Sequence, residues 1–243
     1  MSPSIWRRRI KTFCRRFGYD VVRFHPESSE AAKLRAVLRH LGTDTVLDVG
    51  ANEGQYGRSL REAGYRGRLV SFEPLGSAHA ALQRTAAGDP QWQVHARCAL
   101  GDHDGEIEIH VAGNSVSSSV LPMLEQHARA APDSRYVGHE RVPVRRLDDI
   151  ATPYLACARS VYLKIDTQGF EAAVLRGAPA LLRQARAVQL ELSLVPLYEG
   201  QELWQYFLTQ MLAEGFVPWT LLPGFVDQAT GRTLQLDVVF VRP

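Results

Sequence analysis

The chain has 243 residues, of which 45% are hydrophobic and 22% are charged, and its formal net charge at pH 7 is +2. It is long and apolar enough to bury a full core, while no run approaches the ~18 apolar residues of a membrane span and no signal-peptide hydrophobic region is expected. The three cysteines are far apart in the sequence, which argues against a disulfide framework or a structural zinc site and favours a cytoplasmic protein.

The first predicted unit is a basic N-terminal helical arm over residues 1–42. Residues 1–25 carry seven basic residues and one acid, a net charge of +6, so the rest of the chain has a net charge of −4. Ile10, Phe13 and Phe17 recur at helical spacing among the basic residues. Two interpretations stay open: an interfacial helix in peripheral contact with anionic lipid head groups, or a solvated helix whose apolar stripe packs on the domain.

Residues 43–243 are predicted to form one α/β domain, because strand-like runs alternate there with helical patterns. This alternation predicts right-handed βαβ units and a mostly parallel sheet. The last two runs are separated only by residues 223–233, so we expect an antiparallel hairpin at one edge of the sheet. The seven runs are Thr45–Val49, Leu69–Phe72, Trp92–Cys98, Val161–Ile165, Ala187–Leu192, Phe216–Leu222 and Leu236–Val241.

An insertion of about residues 103–147 separates the third and fourth runs. It contains the alternating run Glu106–Val111, a serine-rich loop, a short helix around Leu121–Arg129 and the run Arg141–Leu147. Ligands of such sheets bind at the carboxyl ends of the strands. We therefore expect this insertion to cap the ligand site.

The sequence VLDVGANEGQYG at Val46–Gly57 predicts a strand, a tight turn and the start of a helix, and the next strand ends in SFEP at Ser71–Pro74. Small residues let the backbone approach a nucleoside at a helix N-terminus, and an acid at the end of the next strand can bind ribose hydroxyls. A dinucleotide fingerprint would place glycine at Asn52, where a pyrophosphate comes closest. The acid Asp48 disfavours phosphate and favours an ammonium group, so we predict S-adenosylmethionine as the cofactor. The residues expected to bind it are Asp48, Gly50, Ala51, Asn52, Gly54, Glu73 and, through its backbone, Ala99.

Further segments, in the same order, resemble the FkbM family of S-adenosylmethionine-dependent O-methyltransferases over about Thr45–Val241. They are CALGD at Cys98–Asp102, LKIDTQGFEAAVLRGA at Leu163–Ala178 and LELS at Leu190–Ser193. The resemblance implies a class I methyltransferase fold, which is a Rossmann-like three-layer sandwich with a seven-stranded sheet. It also implies methylation of sugar hydroxyls in glycolipids, polysaccharides or antibiotics. AGNSVSSSVLPM and VPLYEG look most like members that act on deoxysugars of glycolipids, whereas Gln168 departs from the glutamate of many members.

Methyl transfer to a hydroxyl requires donor and acceptor to be held about 3 Å apart, and a group that takes the proton. Asp166, at the end of the fourth strand, is the first candidate, as a base, a metal ligand or an anchor for the cofactor's amino group. His139 and His110 in the cap are alternative bases. With Glu171 and Glu191, Asp166 can also form an oxygen-ligand site for magnesium, although Glu171 equally suits the first turn of a helix. The residues predicted to bind the acceptor are Asn114, Ser115, Ser117 and Tyr198.

The leading hypothesis is an S-adenosylmethionine-dependent O-methyltransferase for a sugar hydroxyl of a glycolipid or related glycoconjugate. A nucleic-acid methyltransferase that grips phosphates through the arm is less favoured, because the body is acidic and KIDTQG lacks a proline-rich base-methylation motif. We therefore expect no nucleic-acid partner. A nicotinamide-dependent oxidoreductase and a non-catalytic protein that binds S-adenosylmethionine are the remaining alternatives.

Overall fold

The computed structural model describes residues 3–243, apart from the side chains of residues 3–5 and 7. The helices within that range are α1 (Pro3–Arg15), α2 (Glu30–His40), α3 (Gln55–Glu62), α4 (Gly76–Ala86), α5 (Glu125–Ala130), α6 (Leu147–Leu155), α7 (Glu171–Arg176), α8 (Pro179–Gln184) and α9 (Trp204–Ala213). The strands are β1 (Thr45–Val49), β2 (Arg68–Phe72), β3 (Trp92–Val94), β4 (Ala99–Gly101), β5 (Gly105–Ala112), β6 (Tyr136–Arg146), β7 (Val161–Ile165), β8 (Ala185–Ser193), β9 (Val217–Pro223) and β10 (Gln235–Val241). In this described range, no helix combines the length and the apolar character that crossing a membrane requires.

Seven strands form the central sheet, in the order β3-β2-β1-β7-β8-β10-β9. β1 pairs in parallel with β2 and with β7, whereas β10 runs antiparallel to both β8 and β9. The predicted α/β fold, with a mostly parallel sheet and an antiparallel terminal hairpin, is confirmed. Because the strand order reverses between β1 and β7, the loops that follow these two strands diverge and border a crevice.

Helices cover both faces of the sheet, and its central strands are therefore apolar along their length. Every residue of β1 and β7 is buried. Leu47 belongs to the hydrophobic cluster on one face, and Val46 belongs to the cluster on the other. Leu34 and Val37 of α2 are buried in that second cluster. Helix α2 is thus part of the packed body, and the predicted boundary after residue 42 falls within this body.

Helix α1 leaves its apolar stripe uncovered. Ile10 is 40% exposed, Phe13 is 62% exposed and Phe17, just beyond the helix, is 65% exposed. Packing of this stripe on the domain, one of the two interpretations from the sequence, is therefore not observed.

The inserted cap forms a second sheet of three strands, in the order β4-β6-β5. β5 and β6 confirm the strands predicted at 106–111 and 141–147, and β6 begins earlier than expected, at Tyr136. The third run was predicted to be too long, because β3 ends at Val94 and residues 99–101 leave the main sheet to pair with β6 as β4. The helix predicted around residues 121–129 begins only at Glu125.

Candidate active site

A cavity of about 430 Å³ lies at the carboxyl ends of β1, β2 and β7, where the strand order reverses and the cap approaches. Its wall contains residues from the loops after these three strands, from the start of β4 and from the serine-rich cap loop. Seven of the residues predicted from the sequence line it: Gly50, Ala51, Asn52, Glu73, Ala99, Ser115 and Asp166. The sequence therefore located the crevice, but it did not assign every residue to its wall.

The turn after β1 depends on Gly50, which has a φ of +76°. A Cβ at this position would overlap the backbone carbonyl oxygen of Asp166, so glycine lets the turn lie directly against the end of β7. Gly54, the other glycine predicted to bind the cofactor, is a packing position in the structure. It lies outside the cavity wall, and a Cβ there would lie 3.0 Å from Leu82 and 3.2 Å from Trp92, so glycine permits close packing at the start of α3.

Glu73 joins the loops after β1 and β2. Its Oε2 accepts a hydrogen bond from the backbone N–H of Asn52 at 2.8 Å, and its Oε1 accepts one from the N–H of Leu75 at 2.9 Å. Burial raises the pKa of Glu73 to about 7. Each carboxylate oxygen keeps a second lone pair, so Glu73 can accept hydrogen bonds from the two ribose hydroxyls of a nucleoside.

The predicted contact between Asp48 and the cofactor is not supported by the geometry. Asp48 is fully buried beneath the loop and lies outside the cavity wall. Its Oδ1 is 3.3 Å from the Nζ of Lys164, and its Oδ2 accepts a hydrogen bond from Ser71. The sequence shows that an acid lies near the end of the strand, but the sheet determines which face that acid occupies.

Lys164 is a site residue that the sequence analysis missed. Its Nζ lies 3.3 Å from Oδ1 of Asp48 and 3.3 Å from Oδ2 of Asp166, and it donates to the carbonyl of Gly50 at 3.2 Å. Burial alone would lower the pKa of Lys164, but the two carboxylates raise it above its usual value, so the lysine stays charged. A single lysine within the apolar strand β7 was the available signal, because a buried lysine requires acidic partners.

Gln168 lies between two carboxylates. Its Nε2 donates to Oδ1 of Asp166 at 2.9 Å and to Oε2 of Glu191 at 2.6 Å, while its Oε1 accepts a hydrogen bond from the Tyr198 hydroxyl at 2.7 Å. These three partners fix the orientation of the amide. Tyr198 is buried and lies outside the cavity wall, so it supports Gln168 instead of contacting the acceptor as predicted.

The predicted magnesium site at Asp166, Glu171 and Glu191 does not fit this donor arrangement. The amide of Gln168 separates Asp166 from Glu191 and directs hydrogens at both. Oε1 of Glu171 instead accepts hydrogen bonds from the backbone N–H groups of Thr167 and Gly169, at 2.8 and 3.1 Å. Within residues 3–243, no group of three His, Cys, Asp or Glu side chains has the arrangement of a metal site.

The two cap histidines lie away from the cavity. Side chains alternate along β5, so Ile109 lines the cavity while His110 faces the opposite side and stacks on Tyr136, with ring centroids 4.8 Å apart. His139 is paired with His110 across the sheet, and its side chain is 54% exposed. Neither histidine lines the cavity, and Asp166 is the predicted catalytic residue that does.

The serine-rich loop contributes only part of its predicted acceptor site. Ser115 lines the cavity, and the Asn52 side chain donates to its hydroxyl at 3.3 Å. Asn114 instead accepts a hydrogen bond from the N–H of Ser117 within a local turn, and both residues lie outside the wall. Ser119 connects the cap to the body, because its hydroxyl donates to the Gln168 carbonyl at 2.6 Å.

The charges and surfaces of the cavity fit S-adenosylmethionine. The wall carries three acids, Glu73, Asp166 and Asp237, and one lysine, so it favours a ligand with positive charge. Asp237, on β10, was also missed by the sequence analysis, and burial raises its pKa to about 6. Apolar residues of the wall can provide a surface for adenine: Phe72, Leu75, Cys98, Ala99 and Leu100.

The chain is similar to several known proteins. A profile of the methyltransferase FkbM domain matches residues 48–218. The chain is also similar to the 2-O-methyltransferase NoeI of Sinorhizobium fredii (strain NBRC 101917 / NGR234), with 29% identity over 163 residues. That match covers 64% of this chain, and the chain spans 66% of the length of that relative.

Similar solved structures include magnesium protoporphyrin IX methyltransferase (ChlM) from Synechocystis PCC 6803 with bound S-adenosylmethionine. Its TM-score is 0.47 and its identity 14%, covering 100% of this chain and 92% of that one. Fibrillarin from Aeropyrum pernix, also with bound S-adenosylmethionine, has a TM-score of 0.45 and 11% identity, covering 82% of this chain and 66% of that one.

Proposed function

Because the chain belongs to the FkbM methyltransferase family, and is therefore an S-adenosylmethionine-dependent methyltransferase, we propose that it methylates a sugar hydroxyl of a glycolipid or related glycoconjugate. The similarity to a protein named a 2-O-methyltransferase is the observation that carries this proposal. The cap also supports it, because the hydroxyl-bearing residues Ser115, Ser118 and Ser119 line the cavity. Side chains of this kind recognise the hydroxyls of a polar acceptor.

S-adenosylmethionine, when bound, supplies a methyl group on a positively charged sulfur. The protein must orient the acceptor hydroxyl and take its proton. Asp166 suits this second task, because it lines the cavity and its side chain is 31% exposed. Lys164 lies beside one of its oxygens and Gln168 donates to the other, so the carboxylate is held in one orientation. We assign Asp166 as the proton acceptor and Lys164 and Gln168 as residues that position it.

Calorimetry with S-adenosylmethionine tests the cofactor part of the site. Glu73→Gln should weaken binding at least tenfold, about 1.4 kcal/mol, because a charged acceptor for the ribose hydroxyls is lost. Glu53→Gln is the matched control, since Glu53 lies in the same loop but is exposed and outside the cavity wall. Equal affinities for the two variants would contradict the assignment of Glu73.

The acceptor is tested by deleting the gene and comparing glycolipid and polysaccharide masses. We expect one glycan to become lighter by one CH₂, and the purified protein to restore it with S-adenosylmethionine. Asp166→Asn should reduce this transfer about 10²–10⁴-fold with little change in cofactor affinity. Unchanged glycan masses, or methyl transfer to RNA in place of the glycan extract, would refute the proposed acceptor.

We also propose that the protein acts in the cytoplasm, at the inner face of the membrane, where a lipid-borne acceptor is accessible. The basic N-terminal segment supports this location.

A further inference from the structure

The N-terminal segment exposes an unusual amount of apolar surface. Eight large hydrophobic side chains between residues 6 and 24 are at least 40% exposed. On α1 they include Trp6 and Ile10, and the row continues through Phe13 to Phe17. The complete set is Trp6, Ile10, Phe13, Phe17, Tyr19, Val21, Val22 and Phe24. Contiguous apolar surface of this kind marks an interaction site.

On α1, Trp6, Ile10 and Phe13 share one side of the helix, and three basic residues lie opposite them. At 3.6 residues per turn, Trp6, Ile10 and Phe13 fall within an arc of about 60°. The ring of Phe17, just beyond the helix, lies 5.2 Å from that of Phe13. Positions 8, 11 and 15, which are Arg8, Lys11 and Arg15, fall on the opposite side. The helix is 13 residues long, so it lacks the length to span a bilayer, but it can lie along the surface of one.

We infer that α1 and the residues up to Phe24 form an anchor that lies in the plane of an anionic lipid bilayer. The aromatic and aliphatic side chains would enter the boundary between head groups and acyl chains, and the basic residues would contact anionic head groups. A second copy of this segment is a poorer partner for the helix, because each carries a net charge of +6 between residues 1 and 25. RNA would satisfy the basic side of the helix but would leave the apolar row exposed.

This inference rests on the proposed function in one respect, since the anchor would place the active site near lipid-borne acceptors. The contact between α1 and the bilayer does not itself depend on the reaction. Sedimentation of the full chain with vesicles separates the two. We expect binding to vesicles that contain phosphatidylglycerol, weaker binding as salt increases, and little binding to vesicles of phosphatidylcholine alone.

Two pairs of variants test the two sides of the helix. Phe13→Ser should weaken vesicle binding about tenfold or more, whereas Leu212→Ser, an exposed apolar residue on α9, should not. Arg8→Gln should weaken it about fivefold, whereas Arg183→Gln, an exposed arginine on α8, should not. All four variants should bind S-adenosylmethionine like the wild type, which confirms that they are folded.

Several results would overturn the anchor. Equal binding to neutral and anionic vesicles, or no loss of binding in Phe13→Ser, would exclude an anionic lipid anchor. A concentration-dependent dimer that is absent in Phe13→Ser would indicate a second copy as the partner. RNA would be the partner if it displaced the protein from vesicles and if Phe13→Ser still bound RNA normally. Vesicle binding without methylation of any glycan would instead refute the proposed function and leave the anchor intact.

Discussion

The substitution Gly50→Ala tests the close contact that forms the cofactor loop. Gly50 has a φ of +76°, and a Cβ there would overlap the carbonyl oxygen of Asp166 and lie 2.9 Å from its carbonyl carbon. These are backbone atoms at the end of β7, so no side-chain rotation can relieve the overlap. The turn after β1 must therefore move away from β7, and it carries Ala51 and Asn52 of the cavity wall with it.

The matched control is Gly231→Ala. Gly231 has a φ of +72°, but no atom lies within 4 Å of the position of its Cβ. The variant Gly231→Ala therefore measures only the cost of a side chain at positive φ, about 1–2 kcal/mol of unfolding free energy. Gly50→Ala adds the cost of backbone displacement, about 1–3 kcal/mol, so we expect a total loss of about 2–5 kcal/mol.

Urea unfolding followed by tryptophan fluorescence measures both losses, and calorimetry measures the affinity for S-adenosylmethionine. Gly50→Ala should lose at least tenfold in affinity, about 1.4 kcal/mol, while Gly231→Ala should bind normally. Equal stability and equal affinity of the two variants would show that the packing of the Gly50 turn against Asp166 does not shape the site.

Three further predictions concern single side chains around the cavity. Gln168→Glu should replace the amide between two carboxylates by a third carboxylate, so the variant should bind Mn²⁺ in calorimetry while the wild type does not. Burial raises the pKa of Glu73 from 4.5 to about 7. Between these two pH values the folded protein therefore keeps a proton on Glu73 that the unfolded chain releases. The unfolding free energy of the wild type should therefore fall by about 3 kcal/mol relative to Glu73→Gln between pH 4.5 and pH 7, and parallel curves would contradict this. His110→Ala and His139→Ala should leave methyl transfer unchanged, since both side chains lie outside the cavity wall, and a large loss of activity in either would show that the cap rearranges.

The sequence predicted the fold well because local patterns specify it. The bounds of β1 and β7 are as expected, and Glu73, which the sequence placed at the end of the second strand, lines the cavity. The errors concern orientation, which depends on contacts between distant segments. His110 faces away from the site because Ile109 faces toward it, and the alternation of apolar and polar residues in this strand already placed His110 on the polar face. The pairing of β4 with β6 likewise joins residues more than 40 positions apart.

The charges of the site indicate how a cationic cofactor is selected. Burial raises the pKa values of Glu73 and Asp237, to about 7 and about 6, so both carboxylates are costly to ionise where they lie. Among the described residues of the cavity wall, Lys164 supplies positive charge, but Asp48 and Asp166 already neutralise it. A ligand that brings its own positive charge therefore lowers the cost of ionising the remaining acids, whereas a phosphate-bearing nucleotide raises it. The preference for S-adenosylmethionine thus rests on the whole set of acids around the cavity. The buried Asp48 contributes to it indirectly, because its ion pair with Lys164 neutralises the positive charge of the lysine.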